Sequence, residues 1–263
     1  GVMNFQHIQL EQQGYVATLT LNRPDVHNAF DDVMIAELLN ALEQVQHNDT
    51  VRLFVLRSNG RNFSAGADLA WMRSMAAKNY DENIADATHL ARLMQALDDL
   101  PQPTLCLVQG AAFGGAVGLA ACCDIVLAES QASFCLSEVK IGLIPAVISP
   151  FVMRAIGTRQ ARRYMLSAER FSADVAKQLG LVHEIVDDLD AAAAEFAGIL
   201  CANSPAAVTA AKQLIADLDQ QPLDTRTQRH TIERIADIRV SAEGQEGLSA
   251  FLEKRSPNWK KDS

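Results

Sequence analysis

The sequence is short of positive charge. Its 263 residues carry 23 Lys and Arg against 32 Asp and Glu, a formal net charge of -9. A broad basic surface for nucleic acid or anionic lipid is therefore not expected, although a local basic patch can still hold an anionic group. No CxxC is present. The five cysteines, Cys106, Cys122, Cys123, Cys135 and Cys201, are odd in number and irregular in spacing. With the six scattered histidines they give no zinc-ligand spacing, so no metal is expected. Most lie in apolar runs and read as buried thiols in a reducing compartment. The segment GVMNFQHIQL has no basic stretch followed by an apolar one, so no signal peptide is expected and a cytoplasmic location is. Low-complexity tracts and strict repeats are also absent. What remains is ordinary globular composition, 49% hydrophobic and 21% charged, and enough chain for a large core.

One stretch lacks charge altogether. From Pro103 to Cys123 there is none, and Gly110, Gly114 and Gly118 fall at the GxxxGxxxG spacing of paired membrane helices. Gln109 and the Gly114–Gly115 pair argue against a span. A buried strand, a glycine turn and a buried helix explain the same residues, so no membrane partner is expected.

Patterning then divides the chain. Residues 6–21 alternate around Gln13–Gly14 and predict a hairpin, which Arg23–Pro24 ends. Asn28 is positioned to cap a helix running to about His47. VRLFVLR (51–57) reads as a buried strand, and helices are expected from Trp71 and over 83–99. TLCLV (104–108) is a strand, QGAAFGG a turn, AVGLAACC a helix and DIVLA (124–128) a strand. Helices are predicted over 150–168 and 172–179, with Gly157 and Gly180 at their ends. A strand follows at 181–186, then helices near 190–202, 205–219, 225–239 and 241–254. Ser204–Pro205 has the form of an N-cap followed by a first helical residue. The fold class expected is α/β, with an α-helical C-terminal region.

Two bends could carry chemistry. Phe63–Asp68 (FSAGAD) and Gln109–Ala116 (QGAAFGGA) each lead from a strand to a helix through small residues. Small residues let backbone approach a ligand, and the first N–H groups of a helix have no internal acceptor. Neither bend is GxGxxG, and no P-loop lysine follows. If the two converge, their N–H groups could hold one oxygen as it gains negative charge. Glu138, in the apolar FCLSEVKIGLIP, is the candidate acid–base group, because a partly buried carboxyl binds its proton more tightly. A surface glutamate beside Lys140 is the alternative. No GxSxG accompanies the histidines, which counts against a serine hydrolase.

FSAGADL, GAAFGGAVGLAACCDIVLA and FCLSEVKIGLIP, in this order and spacing, resemble the enoyl-CoA hydratase/isomerase (crotonase) superfamily. The resemblance covers nearly the whole chain, and its details look most like bacterial methylglutaconyl-CoA hydratases. It implies a ββα spiral core, here residues 1–203, and a helical region, 204–263, for oligomerisation and covering the site. It implies an acyl-CoA thioester substrate, no cofactor beyond that CoA moiety, and a homotrimer or homohexamer. The two oxyanion N–H groups land on Ala67 and Gly115 and the catalytic carboxylate on Glu138. Ala65, Gly66, Asp68, Leu69 and Gly114 would line the CoA and substrate path. Arg23 and Lys260–Lys261 are candidate partners for the CoA phosphates.

One departure is large. A second glutamate, usual in such hydratases, would fall at position 118, which is Gly118. Pro145–Pro150 (PAVISP) is also bulkier than the usual glycine-rich stretch there. One carboxylate with two oxygens suffices for syn hydration or for double-bond isomerisation. The expected activity is hydration of a branched enoyl-CoA such as 3-methylglutaconyl-CoA. The alternatives are an isomerase and a CoA-ester-binding protein with little activity.

Overall fold

The structure, a computed structural model, describes residues 2–260, with side chains from residue 5 onward. A seven-stranded sheet forms the centre. Its strands are β1 (Val2–Asn4), β2 (Ile8–Gln13), β3 (Val16–Leu21), β4 (Leu53–Ser58), β5 (Thr104–Val108), β7 (Ile125–Glu129) and β10 (Glu184–Val186), in the order β1-β2-β3-β4-β5-β7-β10. β2 and β3 pair antiparallel, as the alternating residues on either side of Gln13–Gly14 predict, and β1, not expected from sequence, adds antiparallel to β2; the remaining pairs are parallel. A second sheet holds β6 (Ala111–Phe113), β8 (Ser133–Cys135) and β9 (Phe171–Ser172).

The parallel strands are buried on both faces, which is why they read as continuous apolar runs. Phe54, Leu56, Cys106, Val108 and Val126 face one way, into the main core with helices α1 (Asp32–Gln46), α3 (Tyr80–Asp98) and α4 (Gly115–Cys122). Leu53, Val55, Leu105, Leu107 and Leu127 face the other way, against α7 (Leu189–Cys201). Cys106, Cys122, Cys123 and Cys135 are buried free thiols and Cys201 is half-buried. Burial pushes the thiols of Cys106, Cys122, Cys135 and Cys201 up, so they stay protonated.

Several expectations need correction. Asp31, not Asn28, caps α1, its carboxylate accepting from the Met34 N–H at 2.8 Å. Asn28 is fully buried at φ 54°, and its amide donates to the carbonyls of Asn59 and Asn62 while accepting from the Arg23 N–H. An Asn tolerates this left-handed backbone and pins a loop there. QGAAFGG is more than a turn, because Ala111–Phe113 pairs with Ser133–Cys135. Gly157 ends one helical stretch, but at φ 81° and ψ 158° it does so inside Ser149–Ser167 (α5), where a second stretch follows at once across a kink. The expected strand at 181–186 is confined to residues 184–186.

The remaining helices follow their caps. α2 (Leu69–Ala77) starts at Asp68 and α6 (Ala173–Leu179) at Ser172. α8 (Pro205–Leu218), α9 (Thr225–Val240) and α10 (Ala242–Leu252) start at Ser204, Asp224 and Ser241. Lys212 on α8 pairs with Asp124 at 2.8 Å and donates to the Gln102 carbonyl, which anchors α8 to the start of β7. Of α8 to α10 only Ala250 is buried, and Ile215, Ile232, Ile235, Val240, Leu248, Phe251 and Leu252 are exposed. Among the described residues no single helix is long and apolar enough to cross a membrane.

Candidate active site

The two bends leave the C-terminal ends of adjacent parallel strands, β4 and β5, so the sheet itself brings them side by side. They are then bonded to each other. The Phe63 N–H donates to the Gln109 carbonyl at 2.8 Å and the Ser64 N–H to Ala111 at 3.1 Å. In return the Phe113 N–H donates to Ser64 at 3.0 Å. Ser64 is fully buried; its hydroxyl donates to the Asn28 carbonyl and accepts from the Gly66 N–H. Gly66 has φ +88°, and a Cβ there would lie 2.9 Å from the Phe113 carbonyl oxygen. Only glycine allows this approach.

Phe30 ties the bends together. Its N–H donates to the Gly66 carbonyl and its carbonyl accepts from the Asp68 N–H, both at 2.7 Å, in a parallel bridge with Ala67. Such a bridge uses the groups before and after Ala67 and leaves the Ala67 N–H out of it. The ring of the same Phe30 lies 3.3 Å from where a Gly115 Cβ would be. Gly115 is the first residue of α4, behind Gly114 at φ 58° and ψ -121°. Among the described residues neither the Ala67 nor the Gly115 N–H donates to a protein acceptor. The structure thus brings together Ala65, Gly66, Ala67, Asp68, Gly114 and Gly115. Ala65 and Leu69 are exposed beside them, and Asp68 caps α2 by accepting from the Trp71 N–H.

Glu138 reaches the same place. It follows β8 and opens a 3-10 turn, Glu138–Ile141. Because β8 pairs with β6, and the Gly114 N–H donates to the Cys135 carbonyl at 2.9 Å, the residues after Cys135 run alongside Gly114. The Glu138 Oε2 lies 3.5 Å from the position of a Gly114 Cβ. Its Oε1 is buried and, among the described residues, has no hydrogen-bond partner. Burial raises the carboxyl pKa above the ordinary value, offset in part by a hydrogen bond from its own backbone N–H. Glu138 is therefore not a surface glutamate. Its other oxygen, Oε2, lies against Gly114, the residue just ahead of the spare Gly115 N–H.

Gly118 lies one turn along α4, on the same face as Gly114 and Gly115. A Cβ there would sit 2.3 Å from the Ile148 Cγ2, 2.7 Å from the Ile148 Cβ and 3.3 Å from the Met94 Cε. The place of a second carboxylate is thus filled with hydrocarbon. Ile148 belongs to the Pro145–Pro150 stretch whose bulk stood out in the sequence beside the small residue at 118. Met94 and Phe30, from distant parts of the chain, left no such signal.

The basic candidates fare differently. Arg23 is committed to other groups: its guanidinium donates to the Ala29 carbonyl and pairs with Asp31 at 3.5 Å and Asp68 at 3.4 Å. Two carboxylates on one guanidinium leave little positive charge for a phosphate. Lys260 lies beside Gln13 and Tyr15 at the hairpin end of the sheet, opposite the bends, so within one chain it is not part of the site. Lys261 lies outside the described residues.

Comparisons with known proteins agree with this geometry. The family model for enoyl-CoA hydratase/isomerase matches residues 11–262. A crystal structure of an enoyl-CoA hydratase from Shewanella pealeana is 56% identical with a TM-score of 0.95, covering 97% of this chain and 96% of that one. A 1,2-epoxyphenylacetyl-CoA isomerase of Escherichia coli is 35% identical over 249 residues, 93% of this chain and 94% of its own. A 2,3-dehydroadipyl-CoA hydratase of the same organism is 32% identical over 256 residues, 95% and 97% of the two chains. Hydratases and isomerases of acyl-CoA thioesters thus share this architecture, and the chain belongs to the enoyl-CoA hydratase/isomerase family.

Proposed function

We propose that this enzyme adds water across the double bond of an α,β-unsaturated acyl-CoA thioester. The observation that carries the reading is the unsatisfied, half-buried Glu138 carboxyl beside Gly114, the residue just ahead of the spare Gly115 N–H, with the Ala67 N–H spare as well. The thioester oxygen would accept from both amides. As water oxygen bonds to the β-carbon, electrons move through the conjugated system onto that oxygen, giving an enolate. The two donors stabilise the charge, and losing one such donor typically costs about 2.7–4 kcal/mol. Glu138 takes the water proton with one carboxylate oxygen and then delivers a proton to the α-carbon on the same face, ending as it began. A raised pKa suits both halves of that cycle near neutral pH.

A short branched acyl group such as 3-methylglutaconyl is the preferred substrate of this reading. Residues 204–263 are proposed as the assembly region of a homotrimer or homohexamer, because the exposed apolar side chains of α9 and α10 need a cover. Isomerisation is the second reading, favoured by Ile148 and Met94 at position 118, which leave no polar group to hold a water there. Supplying 3-methylglutaconyl-CoA and a 3-enoyl-CoA in separate assays, and following the conjugated thioester absorbance, separates the two. Loss of absorbance with the first supports hydration. A gain with the second and no change with the first overturns it.

A further inference from the structure

The two spare amides belong to separate bends, and a single oxygen is held by both only where their separation is fixed. Part of that separation is set where the bends touch. Gly66, just ahead of Ala67, lies so close to the second bend that a Cβ on it would stand 2.9 Å from the Phe113 carbonyl oxygen and 3.9 Å from the Gly114 nitrogen. Gly114 in turn precedes Gly115. This contact therefore lies one residue ahead of each donor.

Phe30 reaches the donors themselves, and by two different forces. Its backbone holds the Ala67 side. Hydrogen bonds of 2.7 Å to the residues before and after Ala67 fix that peptide, whatever side chain residue 30 carries. Its ring holds the Gly115 side by contact alone. The ring Cε2 and Cδ2 lie 3.3 and 3.5 Å from where a Gly115 Cβ would be, so ring carbon fills the place of the missing side chain. The ring is also anchored from behind. Phe30 is buried, Asn28 before it is bonded to the Asn59 and Asn62 carbonyls, and Asp31 after it caps α1.

We propose that the Phe30 side chain is a positioning residue, holding the Gly115 N–H at the distance from the Ala67 N–H that one thioester oxygen requires. The proposal rests on the reading of those two amides as oxyanion donors. Its own content is the division of labour within one residue. Truncating the ring loosens one donor and leaves the other bonded in place. Polarisation of the thioester carbonyl, which draws on both donors, then falls while the ester still binds.

The test uses butyryl-CoA isotope-labelled at the thioester carbonyl, a saturated ester that is neither hydrated nor isomerised. Difference infrared spectra of the bound ester report how far the carbonyl stretch drops from its frequency in water, and the drop grows with the strength of the hydrogen bonds received. Spectra are compared for the parent, Phe30→Leu and Phe30→Ala at saturating ester, with melting temperatures measured alongside. The parent should show the drop. Phe30→Ala should keep roughly half of it, since one of two donors is lost. Phe30→Leu, which leaves more carbon against Gly115, should keep more than the alanine variant and less than the parent. Where the alanine variant fails to fold, the leucine variant decides. A merely structural ring would lower the melting temperature and leave the bound carbonyl band unmoved; that result overturns the proposal and leaves the oxyanion reading standing. No drop in the parent overturns both.

Discussion

The core around Glu138 and the helices α8 to α10 use the same building material in opposite ways. In the core, apolar side chains find partners inside the chain: Phe30, Met94, Ile148 and the inward faces of α1 and α3 are almost fully buried. Among the described residues, the groups left unpartnered there are polar, including the Glu138 Oε1 and the N–H groups of Ala67 and Gly115, with Gln102 Oε1 a further buried oxygen farther off. In α9 and α10 the polar groups are matched, with Arg229–Glu233, Arg234–Asp237 and Arg255–Glu246 pairs along their surfaces. There the unpartnered groups are apolar, from Ile232 to Leu252. Unmet polar groups in a packed core point to a small polar ligand. Unmet apolar groups on matched helices point to another protein surface.

The contrast can be broken at several points. Glu138→Gln has the largest expected effect, a fall in kcat/KM of about 100- to 10,000-fold, as for loss of a general acid–base group. Its effect on stability should have the opposite sense. The folded pKa lies above the unfolded one, so ionised Glu138 opposes folding once pH rises through the folded value, and at pH 7 the glutamine variant should melt no lower than the parent. Calorimetric melting beside steady-state kinetics checks both. In the parent, kcat/KM should fall as pH drops, with a midpoint above the ordinary carboxylate value of about 4.3. A midpoint at or below that value would place Glu138 in bulk water.

Replacing Phe251 and Leu252 together by Glu should reduce the mass found by light scattering to that of one chain while Glu138 keeps its surroundings. An unchanged mass would locate the assembly surface elsewhere. Ser64→Ala removes the hydroxyl that joins the Asn28 carbonyl to the Gly66 N–H. About 1–3 kcal/mol should be lost in denaturant unfolding, because both groups stay buried. Arg229→Ala breaks only an exposed pair one turn apart and should change stability by less than about 0.5 kcal/mol.

Legibility in the sequence follows the range of the forces involved. α8 to α10 were readable to within a residue or two because their starts are local: Ser204 with Pro205, then Asp224 and Ser241, each accept from an N–H three residues on. β6 and β8 were not, since three-residue strands exist only through pairing with each other. Asn28 read as a cap because its chemistry fits one. Its buried amide is instead used by Asn59 and Asn62, more than 30 residues away. The two bends and Glu138 stood out by residue type. Their convergence did not, because Phe30 and the β6–β8 pairing produce it and neither leaves a local signature.

Arg23 has one more consequence. Its guanidinium leans on Asp31 and Asp68, the residues that start α1 and α2. Asp68 adjoins Ala67, so the aim of that amide depends on a side chain leaving the far end of the first hairpin. Whatever loosens residue 23 frees two helix origins together, and the tremor would reach the amide proposed to hold the thioester oxygen without any contact being made to substrate.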